Sequence, residues 1–199
     1  MNKEELKNEV EEYLRIYMNI KNSYVLYKCV RENSLIYKDE TSQITNFLVI
    51  ALSDIFSMTI INVCKLLDIR NDKNIIKLIN VCKQNIDLFC NSCIARSEAL
   101  SKINELEINI NSLDAIIIKT KEYRDKYLAH FDKKYWKNVQ MLFKEHKLSY
   151  EELDTVLNTI SNTLNELLRM LCNTSWVIKE YGTGEYEYIL NCIKEHLDK

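Results

Sequence analysis

Seven consecutive residues, Arg124-Asp125-Lys126-Tyr127-Leu128-Ala129-His130, set a guanidinium and an imidazole six positions apart. Arginine stays charged at every biological pH and offers a planar donor fork to an oxyanion. Histidine is the side chain whose ordinary pKa lies near neutrality, so it can take or give a proton there. Such a pair suits a reaction at an anionic centre, the Arg fixing the charge and the His moving the proton.

Helical periodicity says where these groups fall. With Thr120 at zero on an ideal wheel, Leu113, Ile116, Ile117, Tyr123, Tyr127, Leu128 and Phe131 lie within about 80° of one direction, an apolar stripe. Arg124 falls at about 40°, inside that stripe, and His130 at about 280°, on its edge. Lys121, Glu122, Asp125 and Lys126 lie elsewhere, where solvated charges belong. A cation on an apolar face is costly unless paired. Either its stem packs while the head reaches water or a carboxylate, or the head faces a cleft between helices or subunits and binds an anion.

Six residues on an ideal helix also mean about 120° and ~9 Å of axial separation. Arg124 and His130 therefore diverge, and a composite site from two copies of the chain would bring them together. Asp125, at about 140°, is expected to point away from Arg124 and to play no direct role within one subunit. From Lys119 to Lys147 there are nine cations against four carboxylates, while the whole chain carries −2. Lys126, Lys133, Lys134 and Lys137 belong to this basic stretch and are candidates for binding a polyanion, with Tyr135, Trp136 and Phe143 placed to stack on bases. A solvated loop with core anchors accounts for the same residues.

The elements that must position these groups read as helices throughout. The chain has 199 residues, no Pro and two Gly, Gly182 and Gly184. Sheets, barrels and phosphate loops need that punctuation, and no Gly-rich nucleotide loop is possible before Gly182. The fold class is all-α, a single-domain bundle of about six or seven helices over residues 1–199. Apolar residues spaced four and three apart mark a helix over 3–32, with 33–41 as a connection. A second helix is expected over Thr41–Ile69, a third over 73–94, a fourth over 96–108, and a fifth from Asn111 or Ser112 through Phe131. Ser149 and Glu152 have capping-box spacing before a long apolar-striped helix. Gly182-Thr183-Gly184 reads as a turn before a last helix over 185–197. The helices at the two ends are candidates for peripheral or dimerising elements.

Phe47–Leu67 is the longest apolar stretch, but Asp54, Ser57, Asn62 and Lys65 interrupt it, so it is read as a buried bundle helix and not a membrane span. Seven Cys, an odd number, and a charged N-terminus fit reduced thiols in the cytoplasm. Cys90-Asn91-Ser92-Cys93 has no second pair at zinc spacing and reads as core packing, so no metal and no cofactor is expected.

The run Arg124–His130, followed by Phe131-Asp132, resembles the R-x(4–6)-H signature of HEPN domains. Asp125 matches the polar residue that follows the Arg in many of them. The A-H-F-D ending, KLSYEELDTVLNTISNTLNEL and CKLLDIRND at 64–72 are similar to the AbiU-type abortive-infection branch. The resemblance implies an all-α, metal-independent endoribonuclease working as a toxin or antiviral protein, usually a homodimer, sometimes with a cognate antitoxin. Arg124, His130 and Asp125 would be its catalytic residues. RNA would be cut by attack of its own 2′-OH on the adjacent phosphate. Some HEPN toxins carry a Tyr two places after the His for control by modification, and this chain has Asp132 there. The alternative is a non-catalytic helical module that binds a protein or nucleotide partner.

Overall fold

The protein was analysed as a computed structural model, which describes residues 1–42, 44–90, 94–129, 148–176 and 183–197, with backbone alone at 34–36, 40 and 127–129. The described residues are helical, with no β-strand among them. The α-helices are α1 (Lys3–Ile36), α2 (Lys38–Ser42), α3 (Thr45–Leu67), α4 (Ile75–Gln84), α5 (Arg96–Asn111), α6 (Asp114–Tyr123), α7 (Tyr150–Cys172) and α8 (Thr183–Leu197). They form two compact units, residues 1–17 with 62–177, and residues 18–61 with 178–199.

In the first unit the expected stripes become its core. Leu6, Val10, Tyr13 and Tyr17 of α1 are buried, as are Ile75, Ile79 and Cys82 of α4 and Leu153, Leu157, Ile160, Leu164, Leu167 and Leu171 of α7. The expected third helix ends early, at Gln84. Asn85 leaves helical geometry and a 3₁₀ turn, Ile86–Phe89, follows. That turn still buries Ile86 and Phe89, which is why the apolar period runs through the break. The capping box forms as its spacing requires. Glu152 N–H donates to Ser149 Oγ at 3.1 Å, and Ser149 N–H donates to the Glu152 carboxylate at 2.7 Å. At its other end α7 closes on Asn173 with φ of 54°, the left-handed cap that Asn tolerates.

Asn74 fixes the loop between α3 and α4. It is fully buried and caps α4 by accepting from Lys77 N–H at 3.0 Å. Its amide donates to the carbonyls of Asn71 at 2.6 Å and Ile69 at 3.3 Å, and its own carbonyl accepts from Tyr13 Oη at 3.2 Å. Residues 68–74 are thereby tied to α1 and α4.

In the second unit Val30, Leu48, Tyr186 and Leu190 are buried together, with Leu26, Cys29, Tyr37, Ile44 and Leu52 packed around them. Tyr27 and Phe56 rings meet at 4.9 Å. The expected connection over 33–41 is largely helical, since α1 runs on to Ile36 and α2 adds a turn and a half. Gly184 lies in the first turn of α8 and not in a loop, and a Cβ there would meet nothing. The expectation of a buried α3 holds for Leu48 and for most of its last third. Thr59, Ile60, Val63, Cys64, Leu66 and Leu67 are buried, whereas Phe47, Val49, Ile50 and Met58 are exposed. By length and composition α3 is apolar enough to cross a membrane, and 28% of its apolar window is buried.

Candidate functional site

Arg124 closes α6 and opens a π-helical turn, Arg124–Ala129. Such turns are rare and recur at functional sites. Ile117, Thr120 and Tyr123 bury the inner face of α6, and Thr120 Oγ1 donates back to the Ile116 carbonyl at 2.7 Å. The helix is held onto the start of α7 by Lys119, whose ammonium lies 2.7 Å from Glu152. Arg124 thus leaves a packed helix, and its side chain is 18% exposed.

Two carboxylates hold the guanidinium. Nε donates to Asp125 Oδ1 at 2.7 Å, and Nη1 lies 3.5 Å from Asp68 Oδ2. The expectation that Asp125 points away from Arg124 is overturned. A step of 100° per residue does not apply where the chain turns into π geometry, and the long Arg side chain reaches its neighbour. Nη2 meets no acceptor among the described residues.

Asp68 follows the last residue of α3 and is 4% exposed. Burial and a helix C-terminus both oppose a carboxylate, and three cations answer them. Arg70 donates its backbone N–H to Oδ1 at 3.2 Å, Nε to Oδ1 at 3.1 Å and Nη2 to Oδ2 at 2.8 Å. Lys121 Nζ lies 3.5 Å from Oδ1, and Arg124 approaches Oδ2. The hydrogen bonds from Arg70 outweigh burial and hold Asp68 well below the usual carboxylate range, so it is ionised. Among the described residues the cluster comprises Arg70, Lys121 and Arg124 against Asp68 and Asp125, a surplus of one positive charge there. Lys121 had been expected among solvated charges; it is mostly covered and faces this carboxylate. Cys64, one turn before Asp68, is buried. Burial pushes its thiol up to about 11 against the pull of Arg124, so it stays protonated at neutral pH.

The site thus gathers Arg124 and Asp125 from the motif with Asp68, Arg70 and Lys121. The sequence reading missed Asp68. Its signal was a carboxylate directly after a run of core residues with an Arg two places on. Lys126 pairs with Glu122 at 3.7 Å along its own helix. His130, Lys133, Lys134 and Lys137, like Tyr135, Trp136 and Phe143, lie outside the described residues. So does Cys93; Cys90 Sγ donates to the Ile86 carbonyl at 3.5 Å. Among the described residues no group of three or more His, Cys, Asp or Glu side chains is placed to hold a metal ion.

The described residues are helices and turns without a strand, and Arg124, the first residue of the R-D-x4-H sequence, closes a packed helix, in keeping with the class of all-α HEPN domains that the sequence resembles. Residues 3–189 match the family model of AbiU2, a HEPN family, and the chain belongs to that family. No curated protein and no solved structure matches it.

Proposed function

We propose that this HEPN protein is a metal-independent endoribonuclease acting in abortive infection or as a toxin, with RNA as substrate in the cytoplasm. The observation that carries the reading is the presentation of Arg124. Its guanidinium is held at Nε and Nη1, and Nη2 is left without a described acceptor. A fixed, half-covered guanidinium stabilises charge developing on a phosphoryl oxygen more than a mobile one does.

In the proposed reaction the 2′ oxygen of RNA attacks the adjacent phosphorus as its proton leaves. The bond from phosphorus to the 5′ oxygen breaks, and that oxygen takes a proton. The products are a 2′,3′-cyclic phosphate and a 5′-OH end, and no water is consumed. His130 is assigned the proton transfer on the motif, and Arg124 the phosphate. Asp125 holds Arg124 and does not itself meet RNA in this scheme. Lys126, Lys133, Lys134 and Lys137 are proposed to attract the flanking phosphates. A homodimer, and a cognate antitoxin as regulator, belong to the same proposal.

The test is incubation of the purified protein with mixed cellular RNA in EDTA, followed by detection of 2′,3′-cyclic ends. Because the nucleophile is the RNA's own hydroxyl, EDTA is expected to change nothing. His130→Ala should lose about 10²-fold or more, and Arg124→Lys should also fail, because a point charge does not replace a fork. Cleavage that persists in folded His130→Ala would refute the assignment. The second reading, a non-catalytic module binding a protein or nucleotide, is favoured by the pairing of Arg124 with Asp68 and Asp125. That pairing satisfies a half-buried cation without any ligand. Absence of cleavage by wild type and variants alike would support it.

A further inference from the structure

Asp68 is not needed to neutralise Arg124, because Asp125 already meets it at 2.7 Å. Nor is Arg124 needed to satisfy Asp68, because Arg70 alone supplies a backbone and two side-chain donors. The 3.5 Å approach between them is the longer of the two contacts Arg124 makes, and with the 3.5 Å approach of Lys121 it joins the motif helix to the end of α3. Its geometric consequence is specific. A guanidinium held at Nε by its chain neighbour can still swing about that bond. Held at Nη1 as well, by a carboxylate that is itself buried and triply bonded, it has one plane.

We propose that Asp68 is a positioning residue that sets the guanidinium plane of Arg124, so that Nη2 is directed to a phosphate. The proposal rests on the reading of Arg124 as the phosphate-binding group. It also predicts a particular failure. Asp68 uses both oxygens, Oδ1 for Arg70 N–H and Lys121, Oδ2 for Arg70 Nη2 and Arg124, and both for Arg70 Nε. An Asn has one oxygen, which the backbone N–H of Arg70, fixed by the loop, keeps at the Oδ1 position. Its amide NH₂ then faces Arg124 Nη1, donor against donor, and Arg124 is released.

The experiment has two readouts. The first is the arginine side-chain ¹⁵N spectrum of the intact protein without RNA. Slow rotation of the Arg124 guanidinium, seen as resolved Nη resonances, is expected in wild type and lost in Asp68→Asn. Asn71→Ala, which removes a bond of the same loop to the Lys65 carbonyl at 3.2 Å without touching the Asp68 carboxylate, is expected to keep that signal. The second is RNA cleavage in EDTA. Misplacing a positioned group costs about 10- to 100-fold in turnover, so kcat should fall by that factor in Asp68→Asn with KM little changed, and Asn71→Ala should stay within about twofold because its side chain bonds the Lys65 carbonyl and no member of the cluster.

If Asn71→Ala is as damaging as Asp68→Asn in both readouts, Asp68 merely locks its loop and the proposal is overturned. An unchanged Arg124 signal in Asp68→Asn also overturns it. Should Asp68→Asn not fold, Asp68→Glu, which keeps the charge but displaces the carboxylate by a methylene, carries the same readouts. A wild-type signal together with full activity there counts against the proposal. If wild type cuts no RNA, the nuclease reading fails, and the spectrum still decides whether Asp68 sets Arg124.

Discussion

Asn74→Ala is the perturbation that best tests how the site is built, because one side chain holds the whole Asp68–Asn74 loop. The variant deletes an N-cap acceptor for Lys77 N–H and two donors, to Asn71 and Ile69 carbonyls. Loss of the cap costs about 1 kcal/mol. The 2.6 Å bond to Asn71 adds about 1 kcal/mol or somewhat more, since a partly buried carbonyl loses its partner. The 3.3 Å bond to Ile69 adds little, because Ile69 is exposed and water replaces the donor. The Tyr13 bond goes to the backbone of Asn74 and survives. The total is about 2–3 kcal/mol, a large part of the ~5–15 kcal/mol that holds a domain together. For a chain of this length that lowers Tm by about 5–10 °C.

Asn74→Asp separates the contributions. It keeps a cap acceptor at a helix N-terminus, where a carboxylate is favoured. It also sets an oxygen against the Asn71 carbonyl at a distance that only a donor tolerates. If the loop bonds matter as the distances say, Asn74→Asp is no more stable than Asn74→Ala. Thermal melts followed at 222 nm, at neutral pH and equal concentration, give both numbers. A drop below about 0.5 kcal/mol for Asn74→Ala, the range of ordinary surface changes, would refute the reasoning. So would an Asp variant as stable as wild type.

Acid should unfold the protein partly through Asp68 and Glu152. Arg70 bonding lowers the first; at the second, burial opposes the shift but the bonds from Lys119 and Ser149 outweigh it. A carboxylate lowered in the folded state stabilises fully above its ordinary value near pH ~4 and loses that contribution as pH falls through the folded value. The urea midpoint gap between wild type and Glu152→Gln should therefore be wider at pH 7 than at pH 3, and an equal gap would count against it. Thiol reactivity should divide by burial. At pH 8 iodoacetamide should label exposed Cys192 while leaving Cys64 and Cys82, pushed up to about 11 and about 12 by burial, untouched until denaturant is added. Mass spectrometry of native-labelled peptides decides it.

The helices were legible in the sequence because one kind of pattern, apolar residues four and three apart, carried through every core element from Leu6 to Leu171. Ser149 and Glu152 announced the start of α7 for a similar reason, since a capping box is local and its partners sit three residues apart. What the sequence could not carry was departure from ideal helix geometry. No residue between Ile116 and Ala129 signals that the turn widens at Arg124, so Asp125 was placed on the wrong side. The period of Ile75 to Phe89 likewise passes unbroken through a helix end. Asp68 and Lys121 were hidden by distance. Their contact spans more than fifty residues, and each alone looks like a surface charge beside an apolar run.

The charge count argues about what the cluster is for. An ion pair kept only to bury an arginine is closest to neutral, because every uncompensated charge under partial cover costs free energy. Asp125 and Arg124 by themselves would meet that standard. The structure instead brings in the Asp68 carboxylate and, with it, Arg70 and Lys121. The cluster then has three cations on two anions, and a guanidinium nitrogen has no acceptor among the described residues. On the proposed reading a phosphodiester, with one negative charge, would offset the surplus among the described residues and offer that nitrogen an oxygen. Removing Asp68 would raise the surplus while releasing Arg124. It would therefore strengthen attraction for RNA at long range and weaken the fixed contact at the phosphate, which is why the loss is expected in kcat and not in KM.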